Sequence, residues 1–223
     1  MVLNGHETRP PEADPPAGVR RSLDARRRWL LVGTHLAALA PLLLLVLAWT
    51  GGRLGVNPIR ELTLRTGRYA LALLLLSLAS TPLYLLTGLA AIRRLRKPLG
   101  LYAFLYLTLH LLTYAGLDFR FNLSFLWPEV TQQPFIQVGL LAFLILLPLA
   151  ITSTRGWVVR LGKNWKRLHR LVYLAAVLAV LHFYWLAKGD WRRPAIAALV
   201  LGLLLLARLP PLRKVWAKLR KRI

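Results

Sequence analysis

The stretch that decides the fold is residues 168–187, LHRLVYLAAVLAVLHFYWLA, an apolar run that carries two histidines and one arginine. A helix of this length crosses the hydrocarbon core of a bilayer, which needs about 20 residues. Five further uncharged apolar windows lie at 29–50, 69–92, 99–117, 135–154 and 194–207. The six windows predict an all-α integral membrane protein, a bundle of six transmembrane helices that leaves no room for a separate soluble domain.

Basic charge is distributed unevenly over the segments that flank these windows. The chain has 31 Lys and Arg against 8 Asp and Glu, a net charge of +23. Of the 31 cations, 23 lie in the N-terminal segment, the second and fourth connections and the C-terminal segment. By the positive-inside rule both termini are predicted to be cytoplasmic, in contact with lipid headgroups. Because the charge marks topology, we expect no nucleic-acid partner.

The predicted spans divide the chain into three parts. Residues 1–28 are rich in proline and charge and have almost no apolar run, which predicts a disordered basic cytoplasmic tail. Residues 29–209 form the predicted six-helix domain, and residues 210–223 a basic cytoplasmic C-terminal tail. We also expect the connection at 118–134 to dock a partner outside the membrane or to lie on the membrane surface as an amphipathic cap.

Histidine is the residue type through which this chain could hold a redox centre. Cysteine is absent, and methionine occurs only as Met1, which excludes iron–sulfur clusters, thiolate sites and methionine ligation inside the membrane. Of five histidines, four lie in apolar windows: His35, His110, His169 and His182. Intramembrane histidines usually face the bundle interior, where they bind something or form interhelical hydrogen bonds.

The estimated depth of these histidines in the membrane groups them into two candidate pairs. Measured from the cytoplasmic side, His110 lies about 17 Å along its helix and His182 about 21 Å along its own. Two imidazoles facing each other at one depth predict an axially bis-ligated haem. His169 lies about 20 Å below His182, and His35 about 9 Å inside the first helix, which suggests a second, inner haem. The alternative is that His169 is an interfacial residue bonded to headgroups or backbone.

Several stretches around these histidines resemble one known family. They are THLAALAP at 34–41, RTGRYAL at 65–71, LTLHLLTY at 107–114 and LHRLVYLAAVLAVLHFYW at 168–185. The chain is similar to the haem-binding membrane subunits (MsrQ, also called YedZ) of bacterial periplasmic protein-methionine-sulfoxide reductase systems, within the ferric-reductase-like transmembrane superfamily. The resemblance extends from about residue 29 to the last helix.

The resemblance implies that His110, His169 and His182 ligate haem b, with His35 as a further candidate, and that the protein binds FMN. It also implies a location in the bacterial inner membrane and electrons received from the quinone pool or a cytoplasmic flavin reductase. The implied acceptor is a periplasmic molybdopterin subunit (MsrP) that reduces methionine sulfoxide in oxidised periplasmic proteins. No methionine sulfoxide reductase activity is expected of this chain by itself.

One position departs from the family pattern, and two other functions compete. Gln133 stands where the family usually has an arginine before the proline and tyrosine that open the fourth helix. A ferric or other metal reductase-like membrane cytochrome b is the first competing function. The second is a transporter or scaffold without haem, in which the histidines relay protons or join helices.

Overall fold

The computed structural model describes residues 17–187 and 189–209, and in this part of the chain every regular element is a helix. One of these elements is a π-helical turn, Thr113–Asp118, and the others are α-helices. The α-helices are α1 (Ala17–Thr50), α2 (Pro58–Thr87), α3 (Ala90–Leu112), α4 (Leu123–Gln132), α5 (Pro134–Ile151), α6 (Arg155–Leu161), α7 (Lys163–Leu168), α8 (Leu171–Leu186) and α9 (Arg192–Leu206).

Five segments of the described residues are long and apolar enough to cross a membrane. They are Arg28–Thr50, Pro58–Thr87, Ala90–Asp118, Pro134–Ile151 and Lys163–Leu186. Each overlaps one of the first five predicted windows, so the all-helical membrane architecture is confirmed. The sixth window corresponds to α9, which has 15 residues and is shorter than the about 20 that a crossing needs. The count of six therefore stays a prediction.

The helices begin earlier than the apolar windows. α2 starts at Pro58 rather than at residue 69, and its first turns carry Glu61 and Arg65, whose side chains form an ion pair of 2.7 Å. A charged residue is excluded from the hydrocarbon core but can still be helical. A prediction from hydropathy alone therefore places the start of α2 too late. α1 begins at Ala17, inside the predicted tail, while residues 1–16 and the predicted C-terminal tail lie outside the described residues.

Two helix pairs form the centre of the bundle, α2 with α3 and α5 with α8. Leucines of α2 belong to one buried cluster with Ala175 and Ala176 of α8, which are fully buried. Small side chains let membrane helices approach closely, which compensates for the weak hydrophobic drive between helices in lipid. α1 lies further out and is joined to α3 by the Tyr106 hydroxyl, which donates to the Ala38 carbonyl at 2.7 Å.

The bundle has two ends, named here for reference. The first end is where α2 begins and α3 ends, and it includes the connections 51–57 and 119–133. The second end includes the connection between α2 and α3 and residues 152–170 between α5 and α8. Residues 88–98 and 152–170 together contain ten Lys and Arg and no Asp or Glu. The second end is therefore strongly cationic.

A proline inside α2 removes one backbone donor, and an arginine replaces it. Pro82 has no N–H, so the carbonyl of Leu78, four residues earlier, lacks its helical partner. The guanidinium of Arg208, beyond the end of α9, donates to this carbonyl and also to the hydroxyl of Tyr173. These contacts give the carbonyl freed by Pro82 a donor and tie the end of α9 to α2 and α8.

Candidate functional site

The structure brings His110 of α3 and His182 of α8 together near the first end. Their ring centroids lie 6.1 Å apart, and their planes are nearly perpendicular at 79°. The two histidines belong to different helix pairs, so the contact between their rings lies where the two halves of the bundle meet. Both side chains are half-buried.

Backbone carbonyls fix the tautomer of both rings. Nδ1 of His110 lies 2.8 Å from the Thr63 carbonyl of α2, and Nδ1 of His182 lies 2.6 Å from the Phe135 carbonyl of α5. A carbonyl oxygen only accepts, so Nδ1 carries the proton and donates it in each case. Nε2 then keeps an unprotonated lone pair, as in metal-binding histidines whose other nitrogen is held by a carbonyl.

A glycine makes each of these contacts possible. The carbonyl of a helical residue lies beside the side chain four positions later, and those positions are Gly67 and Gly139. A Cβ at Gly67 would lie 3.0 Å from Nδ1 of His110, and a Cβ at Gly139 would lie 2.8 Å from Nδ1 of His182. Neither glycine was predicted from the sequence. Their signal is the spacing, since each lies 43 residues before its histidine.

The histidine pair suits a haem better than an isolated metal ion. Two nitrogen–metal bonds of about 2 Å on opposite sides of one ion, plus the radii of two imidazoles, separate the centroids by roughly 6 Å. Among the described residues, no group of three or more His, Asp or Glu side chains could hold a metal. The pair can therefore complete a site whose other four ligands come from a macrocycle, and neutral imidazoles bring no charge into the bilayer.

His169 has partners of its own at the second end. Its ring stacks on Trp165 with centroids 4.0 Å apart, and its Nε2 lies 3.1 Å from the Thr152 hydroxyl. That hydroxyl is 2.6 Å from the Pro148 carbonyl, to which it donates its single proton. Thr152 therefore accepts from Nε2 of His169, and this nitrogen carries a proton rather than a free lone pair. The contact joins the end of α5 to the start of α8.

His35 lies on an exposed face of α1. Its Nδ1 is 2.8 Å from the Tyr102 hydroxyl of α3, and the two rings meet edge to face with centroids 5.6 Å apart. Among the described residues, the ring contacts bring His110 and His182 together but include none between His35 and His169. The inner pairing predicted from depth stays a prediction.

The connection predicted for docking contains α4, whose residues Leu123, Phe125 and Trp127 are all exposed. Beside it lies an open pocket whose lining includes Asp118, Arg120 and Glu129. The first end thus presents exposed apolar side chains next to charges of both signs. Gln133, where the family usually has arginine, is the extended residue that precedes α5.

The membrane-length apolar helices define a multi-pass membrane protein, in which His110 and His182 meet between two helix pairs. Residues 66–180 match the family described as "Ferric reductase like transmembrane component", a range that begins just before Gly67 and ends just before His182.

The chain is 50% identical over 194 residues to the "Protein-methionine-sulfoxide reductase heme-binding subunit MsrQ" of Xanthomonas axonopodis pv. citri (strain 306), covering 84% of this chain and 86% of that protein. It is 47% identical over 190 residues to the protein of the same name from Rhodospirillum rubrum, covering 85% of this chain and 91% of the relative. The chain belongs to the MsrQ family.

Proposed function

We propose that this protein is a b-type haem electron-transfer subunit that delivers electrons to a methionine sulfoxide reductase. The observation that carries the proposal is the pair His110 and His182, with centroids 6.1 Å apart and each Nδ1 held by a carbonyl. The relatives named as heme-binding subunits support the same assignment. His110 and His182 would hold the haem, and a haem held by two histidines would supply reversible one-electron transfer rather than oxygen activation.

The proposed topology has six transmembrane helices and both termini in the cytoplasm, in the bacterial inner membrane. Its support is the charge of the two ends, since the second end has ten cations and no acid in residues 88–98 and 152–170. α9 would make the sixth crossing, with local bilayer thinning compensating for its short length of 15 residues. The histidine pair would then lie in the periplasmic half of the bilayer.

The electron donor is proposed to act at the second end, as the quinone pool or a cytoplasmic flavin reductase. The charge of this end supports FMN binding, because the phosphate needs cations and this end of the bundle contains the basic residues of α6 and α7 together with Arg93, Arg94, Arg96 and Lys97. Bound there, FMN supplies both one- and two-electron chemistry. The residues of this chain contribute a cationic surface, on which lipid phosphates compete for the same side chains.

The electron acceptor is proposed to be a periplasmic molybdopterin subunit (MsrP) that docks on α4 and the pocket beside it. Exposed Phe125 and Trp127 next to Asp118 and Glu129 support a protein contact, because interfaces combine aromatic anchors with a polar rim. Replacing Trp127 and Phe125 by alanine should slow electron delivery to the partner and leave the haem spectrum intact. Loss of haem in that variant would contradict the docking role.

A second haem, held by His35 and His169, is kept as a separate proposal. Binding there would require His169 to release the Thr152 hydroxyl, because Nε2 now donates to it. The number of haems per chain, counted in the wild type and in His35→Ala, tests this proposal. A second haem on these residues requires about two haems per chain in the wild type and about one in His35→Ala.

The visible spectrum of the purified protein tests the proposed function. We expect a reduced b-type haem spectrum that is lost in His110→Ala and in His182→Ala, because either change removes an axial ligand. His6→Ala is the matched control, since His6 precedes the membrane domain. A colourless, folded wild-type protein purified with haem available would refute the proposal, as would an unchanged spectrum in both ligand variants.

A further inference from the structure

The two histidines are held by the same arrangement in two halves of the chain. Gly67 and Gly139 are 72 residues apart, as are the carbonyl residues Thr63 and Phe135. His110 and His182 are separated by the same number of residues, so each histidine lies 47 residues after its carbonyl partner. The arrangement therefore occurs twice at a constant spacing.

The same spacing relates buried positions that have no part in the contact. It pairs Ala70 with Ala142, Leu74 with Leu146 and Ala103 with Ala175, and all six side chains are buried. Each pair consists of identical residues, the first two on α2 and α5 and the third on α3 and α8. The pair α2 and α3 thus repeats as α5 and α8, as in membrane proteins built from parallel internal repeats.

From this repeat we propose that Gly67 and Gly139 are positioning residues, which set the orientation and reach of the two axial imidazoles. The inference rests on the proposed haem at His110 and His182. Each ring contacts a single turn of its neighbouring helix at a carbonyl and at a glycine, both near Nδ1. The carbonyl fixes Nδ1, and the bare Cα of the glycine lets the ring approach closely enough to reach that carbonyl.

A methyl group at either glycine must displace the ring. For Gly139 the three atoms nearest to an added Cβ all belong to His182, at 2.8, 3.0 and 3.2 Å. For Gly67 they all belong to His110, at 3.0, 3.1 and 3.6 Å. A ring pushed away from the helix lengthens its bond to the carbonyl and shifts Nε2 relative to the opposite imidazole. The overlap is greater at Gly139, so the larger effect is expected there.

Two helical glycines elsewhere provide matched controls. Gly33 in α1 and Gly202 in α9 have no heavy atom within 4 Å of an added Cβ, apart from their chain neighbours and helix backbone. Alanine at these positions adds the same methyl group and the same helix propensity without touching a histidine. An effect seen in Gly67→Ala and Gly139→Ala but absent from the two control variants therefore comes from the contact with the imidazole.

The first test compares haem affinity and the low-spin spectrum in the four glycine-to-alanine variants. We expect Gly139→Ala to lower haem affinity by about tenfold or more, as loss of an outer-shell partner of a metal ligand does. Gly67→Ala should shift the spectrum with a smaller loss, and Gly33→Ala and Gly202→Ala should match the wild type. Wild-type spectra and affinity in both Gly139→Ala and Gly67→Ala, with haem lost in His182→Ala, would overturn the proposal.

The second test uses haem-free protein and separates this proposal from the proposed function. Gly139→Ala should lower the midpoint unfolding temperature of the apoprotein when His182 is present and no longer lower it in a His182→Ala background. An equal decrease in both backgrounds would contradict the positioning role. The proposed function fails instead if the wild type binds no haem, and this cycle gives its result even then.

Discussion

The histidines at the two ends of the bundle differ in what their nitrogens contact. His110 and His182 donate from Nδ1 to backbone carbonyls and leave Nε2 unprotonated. His169 donates from Nε2 to Thr152, and its ring is stacked on Trp165. Sequence presents all of them as histidines in apolar helices, whereas their partners divide them into a pair with an unprotonated Nε2 and a residue whose Nε2 donates to another helix segment.

Hydrogen-bond partners thus distinguish these intramembrane histidines in a way that their depth in the membrane does not. A carbonyl acceptor fixes a ring without consuming the nitrogen that binds iron. A hydroxyl that already donates to a carbonyl can only accept, so it fixes the proton on the nitrogen that faces it.

The largest effect is expected from removing one histidine at each end. His182→Ala should reduce haem affinity by at least about tenfold, because it deletes an axial ligand rather than an outer-shell partner. His169→Ala should leave the haem held by His110 and His182 in place. Haem per chain, measured in detergent for both variants, distinguishes them. If haem falls by half in His169→Ala, this residue is a ligand of the proposed second haem, and its bond to Thr152 does not keep it from binding iron.

The next effect concerns Arg208 at the second end. Arg208→Ala leaves the Leu78 carbonyl without the donor that replaces the one lost at Pro82 and releases α9 from Tyr173. We expect the free energy of unfolding to fall by about 1–3 kcal/mol, the cost of an unsatisfied buried polar group. Thermal unfolding of the purified protein measures it.

Arg193→Ala is the control for Arg208→Ala, since its side chain is 64% exposed and its nearest acidic partner, Asp190, is 3.7 Å away. An exposed pair of this kind contributes little to stability. Equal stability of the two variants would show that the Leu78 carbonyl does not depend on Arg208.

A smaller effect is expected at Thr152. Thr152→Val keeps the shape of the side chain and removes the acceptor for Nε2 of His169, which should cost about 1 kcal/mol of unfolding free energy. Ser153→Ala is the neighbouring control, because that hydroxyl donates to the Leu149 carbonyl of its own helix. Loss of haem in Thr152→Val would show that the second end also holds the cofactor, which contradicts its assignment to His110 and His182 near the first end.

The smallest effect is expected at Tyr102. Tyr102→Phe removes the hydroxyl that contacts His35 and should cost about 0.5 kcal/mol, since the bond is exposed. Tyr106→Phe removes the buried bond to the Ala38 carbonyl and should cost more. Unfolding midpoints of both variants test this order, and a larger loss in Tyr102→Phe would contradict the peripheral placement of His35.

Much of the architecture could be predicted from sequence because hydropathy determines membrane helices. Five of the six windows correspond to spans, and helix rise alone brought His110 and His182 to one depth. The starts of α1 and α2 could not be predicted, since charged turns outside the hydrocarbon are also helical. Depth could not assign partners to His169, because Thr152 and Trp165 reach it through the path of the chain between α5 and α8.

The glycines were missed for a different reason. A glycine in an apolar helix has no distinctive composition, and its function appears only when another helix places an imidazole against it. The equal spacing from Gly67 to His110 and from Gly139 to His182 was available in the sequence, but it acquires meaning once the carbonyl contacts are known.

Electron paramagnetic resonance of the oxidised protein tests the central claim most directly. A ferric haem held by His110 and His182 would meet imidazole planes 79° apart. Such planes leave the two iron dπ orbitals nearly equal in energy, so a strongly anisotropic low-spin signal is expected. This signal should disappear in both His110→Ala and His182→Ala and persist in His169→Ala. Absence of a low-spin haem signal in wild-type protein purified with haem available, or its persistence in both His110→Ala and His182→Ala, would contradict the account.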